Sequence, residues 1–367
     1  MHWPWCASLC PYCDFDKQAS DFDLADQYVE ALSAHLIQTP PRPAHSLYFG
    51  GGTPSLLRPD RLARIVEAVR NHMDLLPDAE VTVECNPSDV AVPKLRAYFE
   101  AGVNRISLGV QSLVDEELRF LGRRHTADKA IRAVAALREA GCRNLSLDLM
   151  YGVPHQTRGQ LERSLDGLLA LEPEHISAYA LTLEDSTPMG RDLAEGRLKL
   201  PSDDAVAAGY DQIQTVFGEA GFDQYEVSNW ARPGFASTHN LTYWRNDEYL
   251  GLGAGAAGSC DGLRYKRNPD LRAYIAAAKE GDAALVESEP WTREQAMHDT
   301  VMLGLRLTEG ISDAEFAERF GCSLADYCTD RLSELVEERV LGWQDGRLRL
   351  APKYFFVSNA VLGEILP

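Results

Sequence analysis

The chain has 367 residues, 45% hydrophobic and 25% charged, enough apolar material to bury a large core, which excludes disorder as its main state. Its 36 Lys and Arg face 55 Asp and Glu, a formal net charge of −19, a poor match to a nucleic-acid backbone or an anionic membrane surface. The longest uncharged Gly/Ala-rich run, residues 250–260, is too short for a membrane span.

The opening segment MHWPWCASLC carries no basic stretch leading into an apolar one and no small-residue cleavage site, so no secretory signal is expected and the expected address is the cytoplasm. Eight cysteines in such a chain are weak evidence for disulfides. Cys6, Cys10 and Cys13 cluster, whereas Cys85, Cys142, Cys260, Cys322 and Cys328 are scattered and read as ordinary small residues. Three chemistries compete for the cluster. Structural zinc wants four ligands, usually in paired CxxC arrangements, and there is no second pair; His2 lies four residues before Cys6. Cys10-Pro-Tyr-Cys13 has the spacing of a redox dithiol, but Cys6 is then idle and no βαβ unit precedes it. A cubane [4Fe–4S] cluster is held by Cys thiolates, and three protein ligands leave one iron open for chemistry.

From residue 46 onward, apolar or β-branched runs alternate with segments of helical period. Residues 46–49, 80–85, 104–110, 145–153 and 175–181 are predicted strands, and 61–69, 92–100, 127–141 and 160–171 predicted helices. Repeated βα units imply a mostly parallel sheet. Each strand except the last runs into a polar or Gly-rich turn (50–55, 84–87, 111–112, 152–156), and parallel α/β folds bind ligands at these carboxyl ends. A helix near 203–220 follows, then a Gly/Asn/Trp-rich region to about 262 and a helical segment near 270–279. The block 291–367 reads as separate, with an amphipathic helix over 324–340 and a hairpin over 343–350 on an Asp345-Gly346 turn, together winged-helix-like. Residues 311–345 carry nine acidic side chains against three arginines, so a structural or protein-contact role is expected in place of DNA reading.

The CxxxCxxC spacing, with Tyr12 just before the last cysteine, resembles the radical SAM superfamily. The resemblance implies that Cys6, Cys10 and Cys13 hold a [4Fe–4S] cluster whose open iron takes the amino and carboxylate groups of S-adenosyl-L-methionine (SAM) as an exchangeable ligand, electron transfer then giving a deoxyadenosyl radical. Gly50-Gly51-Gly52-Thr53-Pro54 looks like the superfamily's glycine loop, and its SAM contacts fall, at matching positions, on Gly51, Gly52, Thr53, Glu84, Gln111, Arg123 and Asp148. Glu84 and Asp148 suit the SAM amino group or ribose hydroxyls, Gln111 offers a neutral donor and acceptor, and Arg123 offers fixed donors for the carboxylate, with Arg124 beside it as a competitor.

Across nearly the whole chain, PWCASLCPYCDF, FGGGTPS, ECNP, RISLGVQS, LGRRH, DLMYGVPHQT, YEVSNWARPG, HNLTYW, GLGAGA and LGLRLTEG resemble the oxygen-independent coproporphyrinogen III oxidases and their relatives, the HemW-type heme chaperones. Phe15 stands where the oxidases carry a fourth cysteine, and the long N-terminal extension of the oxidases has no counterpart before Cys6; both differences favour the chaperones. His239-Asn-Leu-Thr-Tyr243-Trp244 looks like the HNxxYW motif linked in that branch to heme, with His239 as axial ligand and Tyr243 or Trp244 packed on the macrocycle. The implied protein is α/β, a partial (β/α)6 radical SAM barrel over 1–200 with its cluster loop at 6–13, an extension over 201–290 and a small C-terminal α+β, winged-helix-like domain over 291–367. It would bind heme, cluster and SAM and pass heme to an acceptor protein, with no catalytic residue assigned. The alternatives are radical decarboxylation of coproporphyrinogen III and a redox or interaction protein that keeps the cluster only structurally. An acidic helix face reads alike in a monomer and a homodimer. Relatives place a strand ending in Tyr-x-His-x-Pro before the cysteine loop, its Tyr a SAM contact; that position precedes Met1, so most of the first strand is expected to be missing and the loop less well anchored than in relatives.

Overall fold

The computed structural model describes residues 1–19 and 22–366. The chain opens with β1 (His2–Trp3) and β2 (Trp5–Cys6), the latter paired in parallel with β3 (Gln18–Ala19), and enters α1 (Ala25–Gln38). There follow β4 (Pro43–Gly51), α2 (Pro59–His72), β5 (Asp74–Cys85), α3 (Val92–Glu100), β6 (Arg105–Gln111), α4 (Asp115–Phe120), α5 (Ala127–Ala140), β7 (Leu145–Tyr151), α6 (Arg158–Ala170) and β8 (His175–Ala180). In space β1, β4, β5, β6, β7 and β8 lie side by side, all parallel. Beyond α7 (Pro188–Ala194) and α8 (Asp203–Glu219), β9 (Asp223–Glu226) and β10 (Asn229–Ala231) extend the far edge, β10 antiparallel to β8. Six parallel strands with helices on one face make a partial (β/α)6 barrel.

Local sequence explains the helices. Thr126 caps α5 through the Lys129 N–H, and Gly141 ends it in the left-handed conformation at φ 104°. Thr157 and Gln160 close a capping box at the start of α6. Along the strands the period of two separates two environments. Leu47, Phe49, Val81, Val83, Ile106, Leu108, Leu145, Leu147, Leu149 and Ile176 are buried under the helices. The alternate positions, facing the barrel interior, are Ser46, Tyr48, Glu80, Thr82, Glu84, Arg105, Ser107, Ser146, Asp148, His175, Ser177 and Tyr179. The apolar layer therefore lies outside the barrel, and its interior is polar.

The short first strand that leads into the cysteine loop is tied into the fold at several points. The Met1 amino group donates to the Tyr48 carbonyl at 2.8 Å, Gly50 N–H to Met1 at 3.1 Å, His2 N–H to Leu252 at 2.8 Å, and the Tyr28 hydroxyl to His2 at 2.7 Å. Trp3 and Trp5 are buried with ring centroids 4.5 Å apart, and the edge of Tyr28 meets Trp5 at 5.2 Å.

The Gly/Asn/Trp-rich region is more ordered than its composition suggests. After α9 (Thr238–Trp244), the strands β11 (Ala257–Cys260), β12 (Leu263–Arg267) and β13 (Leu285–Pro290) form an antiparallel sheet, with α10 (Leu271–Glu280) between the last two. The hairpin turn uses Asp261 and Gly262, at φ 53° and 72°. The C-terminal block contains α11 (Arg293–Gly304), β14 (Ile311–Ser312), α12 (Asp313–Phe320), α13 (Leu324–Tyr327), α14 (Arg331–Glu337), β15 (Leu341–Gln344), β16 (Arg347–Leu350) and α15 (Ser358–Ile365). The expected hairpin turns at Asp345 and Gly346, φ 51° and 72°. The expected single helix over 324–340 is broken, because Cys328 is extended and Thr329 is bound to the last helix, its N–H to Ile365 at 3.0 Å and its hydroxyl to Glu364 at 2.9 Å. All eight cysteines are free thiols; Cys85, Cys142, Cys260 and Cys328 are buried and Cys322 is half-buried. No described helix is long and apolar enough to cross a membrane.

Candidate cofactor site

At the carboxyl ends of the parallel strands lies a cavity of about 480 Å³, whose wall includes Cys6, Cys10, Cys13, Gly51, Gly52, Thr53, Glu84, Gln111, Arg123 and Asp148. Cys6 ends β2, buried, with the Thr53 hydroxyl donating to its sulfur at 3.4 Å. Burial pushes its thiol up, against the Thr53 bond, so its thiolate form calls for a positive partner. Cys10 and Cys13 lie on one turn, closed by Cys13 N–H to Cys10 O at 3.3 Å and held by Lys17, which donates to the Cys13 and Phe15 carbonyls at 2.7 and 3.2 Å. Among the described residues, no three His, Cys, Asp or Glu side chains close on one point that could hold a single metal ion. Three thiols that line one cavity separately suit a cluster, where each sulfur meets its own iron.

The glycine loop ends β4 against the first strand. Gly52 N–H donates to Trp3 O and Thr53 N–H to Trp5 O, each at 2.8 Å. A Cβ on Gly51, at φ +108°, would lie 2.0 Å from the His2 ring, and one on Gly52 would lie 2.7 Å from the Trp5 carbonyl. The missing side chains make room for the protein's own first strand.

Glu84 and Asp148 face the cavity from β5 and β7. Glu84 accepts from the Tyr48 hydroxyl at 2.7 Å; burial, with a smaller contribution from Asp148, pushes its carboxyl up to about 7 against the Tyr48 and Gly51 bonds. Asp148 accepts from Ser107 at 3.0 Å and is likewise raised by burial. Gln111 sits at the irregularity between β6 and β7 with φ 67°, a conformation costing a non-glycine residue on the order of 1–3 kcal/mol and kept where the surroundings demand it. Its side chain curls back: a Cβ on Gly109 would lie 3.0 Å from the Gln111 amide nitrogen and 3.2 Å from Arg123 Nη2. Arg123 donates to Gly109 O at 3.0 Å and to the Cys10 sulfur at 3.7 Å, while its Nε is buried without a partner, a donor suited to an anionic group. Arg124 is exposed at the rim.

A second chamber of about 610 Å³ shares Tyr48, Glu84, Ser107 and Tyr179 with the first and reaches His175, Tyr225, His239, Asn240 and Tyr243. His239 and Tyr243 are thus brought together, but apart from the three thiols. Glu80 holds the start of α9, accepting from Ser237 Oγ at 3.0 Å and from the Thr238 and His239 N–H groups at 3.1 Å each. The His239 ring stacks on Tyr48 at 4.5 Å and 10°, meets the edge of Tyr243 at 5.0 Å, and bonds Ser46 Oγ through Nδ1 at 3.0 Å. Burial lowers its pKa to about 3, so the ring is a neutral imidazole. Trp244, the alternative to Tyr243, instead lies near Arg306, 5.9 Å from the ring centroid, and lines neither chamber.

Sequence reasoning missed Tyr48, Glu80 and Tyr225. The alternation Ser46, Tyr48 against Leu47, Phe49 carried the signal for Tyr48. Nothing in YEVSNW and HNLTYW said that they touch, yet Asn240 donates to the Tyr225 hydroxyl at 3.2 Å, and Tyr225 meets His175 Nε2 at 2.8 Å, whose Nδ1 meets Ser146 at 2.8 Å.

Residues 1–168 match the family model of the radical SAM superfamily, and residues 291–356 that of the HemN C-terminal domain. The chain is 34% identical to the heme chaperone HemW of Lactococcus lactis, over all of this chain and 96% of that protein, and 35% identical to that of Bacillus subtilis, over all of this chain and 98% of that protein. In fold it is similar to the solved coproporphyrinogen III oxidase HemN of Escherichia coli, with a TM-score of 0.83 at 21% identity, covering 99% of this chain and 88% of that one.

Proposed function

The chain belongs to the HemW family within the radical SAM superfamily, and from that premise we propose that it is a heme chaperone, holding heme beside a [4Fe–4S] cluster and SAM and passing heme to an acceptor protein. The observation that carries this reading is the placement of His239, a neutral imidazole in a chamber that shares a wall with the three-thiol cavity but holds none of its cysteines. Neutral imidazole is the form that ligates iron.

In this reading Cys6, Cys10 and Cys13 hold the cluster, which when bound supplies an electron source and an open iron for SAM. Glu84 and Asp148 receive the SAM amino and ribose groups, Arg123 its carboxylate, and Gln111 with the backbone of Gly51, Gly52 and Thr53 completes the wall. Phe15, exposed at the mouth of both chambers, stands where a fourth thiol would.

The test is an anaerobic reconstitution followed by heme titration, read at the Soret band. Saturable binding in the wild type, weakened and spectrally altered in His239→Ala, is expected; no saturable binding in the wild type overturns the chaperone reading, and anaerobic turnover of coproporphyrinogen III with SAM and a reductant replaces it. Cys13→Ser should remove the iron and sulfide that Cys142→Ser retains.

A further inference from the structure

The left-handed conformation of Gln111 belongs to a very tight turn. The Ser112 N–H donates to the Val110 carbonyl at 2.9 Å, two residues back, around Gln111 at φ 67°. This is the left-handed form of the γ-turn, which is rare and strained. The chain doubles back at the end of β6, and the Gln111 amide returns beside Gly109 and Arg123 Nη2 in the wall of the three-thiol cavity. A relaxed, extended Gln111 would carry the strand straight on and re-aim that amide.

Strain of this kind persists only where the surroundings over-determine it, and here the restraints can be named. Ser112 is fully buried; its hydroxyl donates to Glu117 Oε2 at 2.6 Å and accepts from the Val114 N–H at 2.9 Å. The Val110 carbonyl takes a second bond, from His125 Nε2 at 3.0 Å. Glu117 lies in the first turn of α4 and is only 4% exposed. The same carboxylate oxygen accepts from Gln156 Nε2 at 3.1 Å, and Gln156 Oε1 in turn accepts from the Gly152 N–H at 2.9 Å. The loops that follow β6 and β7 thus meet on one oxygen, and these two strands carry Gln111 and Asp148. Burial pushes the Glu117 carboxyl up, against both bonds, so the fold bears a cost to keep an acceptor at this point.

Resting on the placement of SAM in that cavity, we propose that Glu117 is a positioning residue for the SAM site: through Ser112 it holds the strained turn that aims Gln111 at the cofactor, and through Gln156 it keeps the loop after β7 in step. Glu117 does not itself line the cavity and acts through Gln111.

Glu117→Met keeps the volume and removes the acceptor, whereas Glu117→Gln keeps one oxygen that can accept both bonds. In the reconstituted full chain, equilibrium dialysis should show SAM bound about tenfold more weakly by Glu117→Met and within about threefold of the wild type by Glu117→Gln. Iron content and heme titration should be unchanged in both. Gln111→Gly weakens SAM on its own account, but glycine takes positive φ without strain, so adding Glu117→Met to it should cost less than about threefold more. Ser112→Ala breaks the same link from the other end; it should weaken SAM about as much as Glu117→Met, and it serves if that variant fails to fold. In the cofactor-free chain, amide hydrogen exchange across residues 110–113 should quicken in Glu117→Met and Ser112→Ala but not in Glu117→Gln.

Wild-type SAM affinity in both Glu117→Met and Ser112→Ala overturns the proposal. So does a loss from Glu117→Met that persists undiminished in the Gln111→Gly background, which would make Glu117 a support of the fold at large. A wild type whose cluster forms but that binds no SAM refutes instead the placement of SAM in the cavity. Exchange across 110–113 that is the same in the wild type and Glu117→Met then overturns the positioning role separately.

Discussion

The hydroxyl of Tyr48 donates to Oε1 of Glu84 across 2.7 Å, so the side chain that stacks on the imidazole of His239 also touches a carboxylate of the three-thiol cavity. One residue faces both.

Tyr48→Phe separates its two roles. Loss of the hydroxyl removes a donor that favours ionised Glu84 and moves its pKa further above about 7. A neutral Glu84 attracts an ammonium group less, so SAM binding near neutral pH should weaken roughly three- to tenfold and recover at about pH 8.5. Heme binding, which keeps the stacked ring, should stay within about twofold. Equilibrium dialysis of SAM against pH, beside a heme titration, checks both.

Gly51→Ala puts a Cβ 2.0 Å from the His2 ring at a φ of +108°. The first strand must move or the loop must refold. A loss of at least about 2 kcal/mol in stability, with iron content after reconstitution well below that of the wild type, is expected from urea unfolding and iron analysis.

Glu80→Ala strips three acceptor contacts from the start of α9 and leaves Arg105, which lies 3.9 Å from the carboxylate, without it in a buried site. Removing one partner of a buried pair typically costs about 3–5 kcal/mol. Heme affinity should fall because His239 loses its backbone anchor, while the cluster's absorbance, generated at the other end of the strands, should persist. Loss of both signals together would show that Glu80 serves the fold alone.

Glu226→Gln tests the pH profile. Burial raises the Glu226 carboxyl from 4.5 to about 7, against bonds from Asn229, Ser228 and Asn240. The folded state thus holds its proton more tightly than the unfolded chain, so this stability is fully present below pH 4.5 and lost as pH rises through about 7, an amount of roughly 3 kcal/mol. Glu84 has the same sign. Buried histidines such as His125 and His239 act in the opposite sense, so the readout is the difference between the two proteins: from about pH 5 to about pH 8 the urea midpoint of Glu226→Gln should rise relative to that of the wild type.

How far the fold was legible depended on whether its cause was local. The strands through Tyr48, Val83, Leu108, Leu147 and Ile176 were readable because β-branched and leucine residues recur at the helix-facing positions. The first strand was not, because His2 and Trp3 owe their place to Leu252 and Tyr28, distant in sequence. The helix expected over 324–340 failed at Thr329 for the same reason, its partners being at the end of the chain. In the site, Cys6, Cys10 and Cys13 were evident from spacing. Glu80 and Tyr225 were not, since a buried carboxylate under a helix start and a hydroxyl between Asn240 and His175 exist only once the barrel is closed.

The polar lining of the barrel bears on turnover. The helices grip the outer face of the sheet, and that grip is the same whatever the lumen contains. Filling the lumen exchanges water for ligand among serines, Asn229 and Arg105, so the fold gains and loses its contents without opening its hydrophobic layer. A molecule held in the lumen can therefore be exchanged while that layer stays packed.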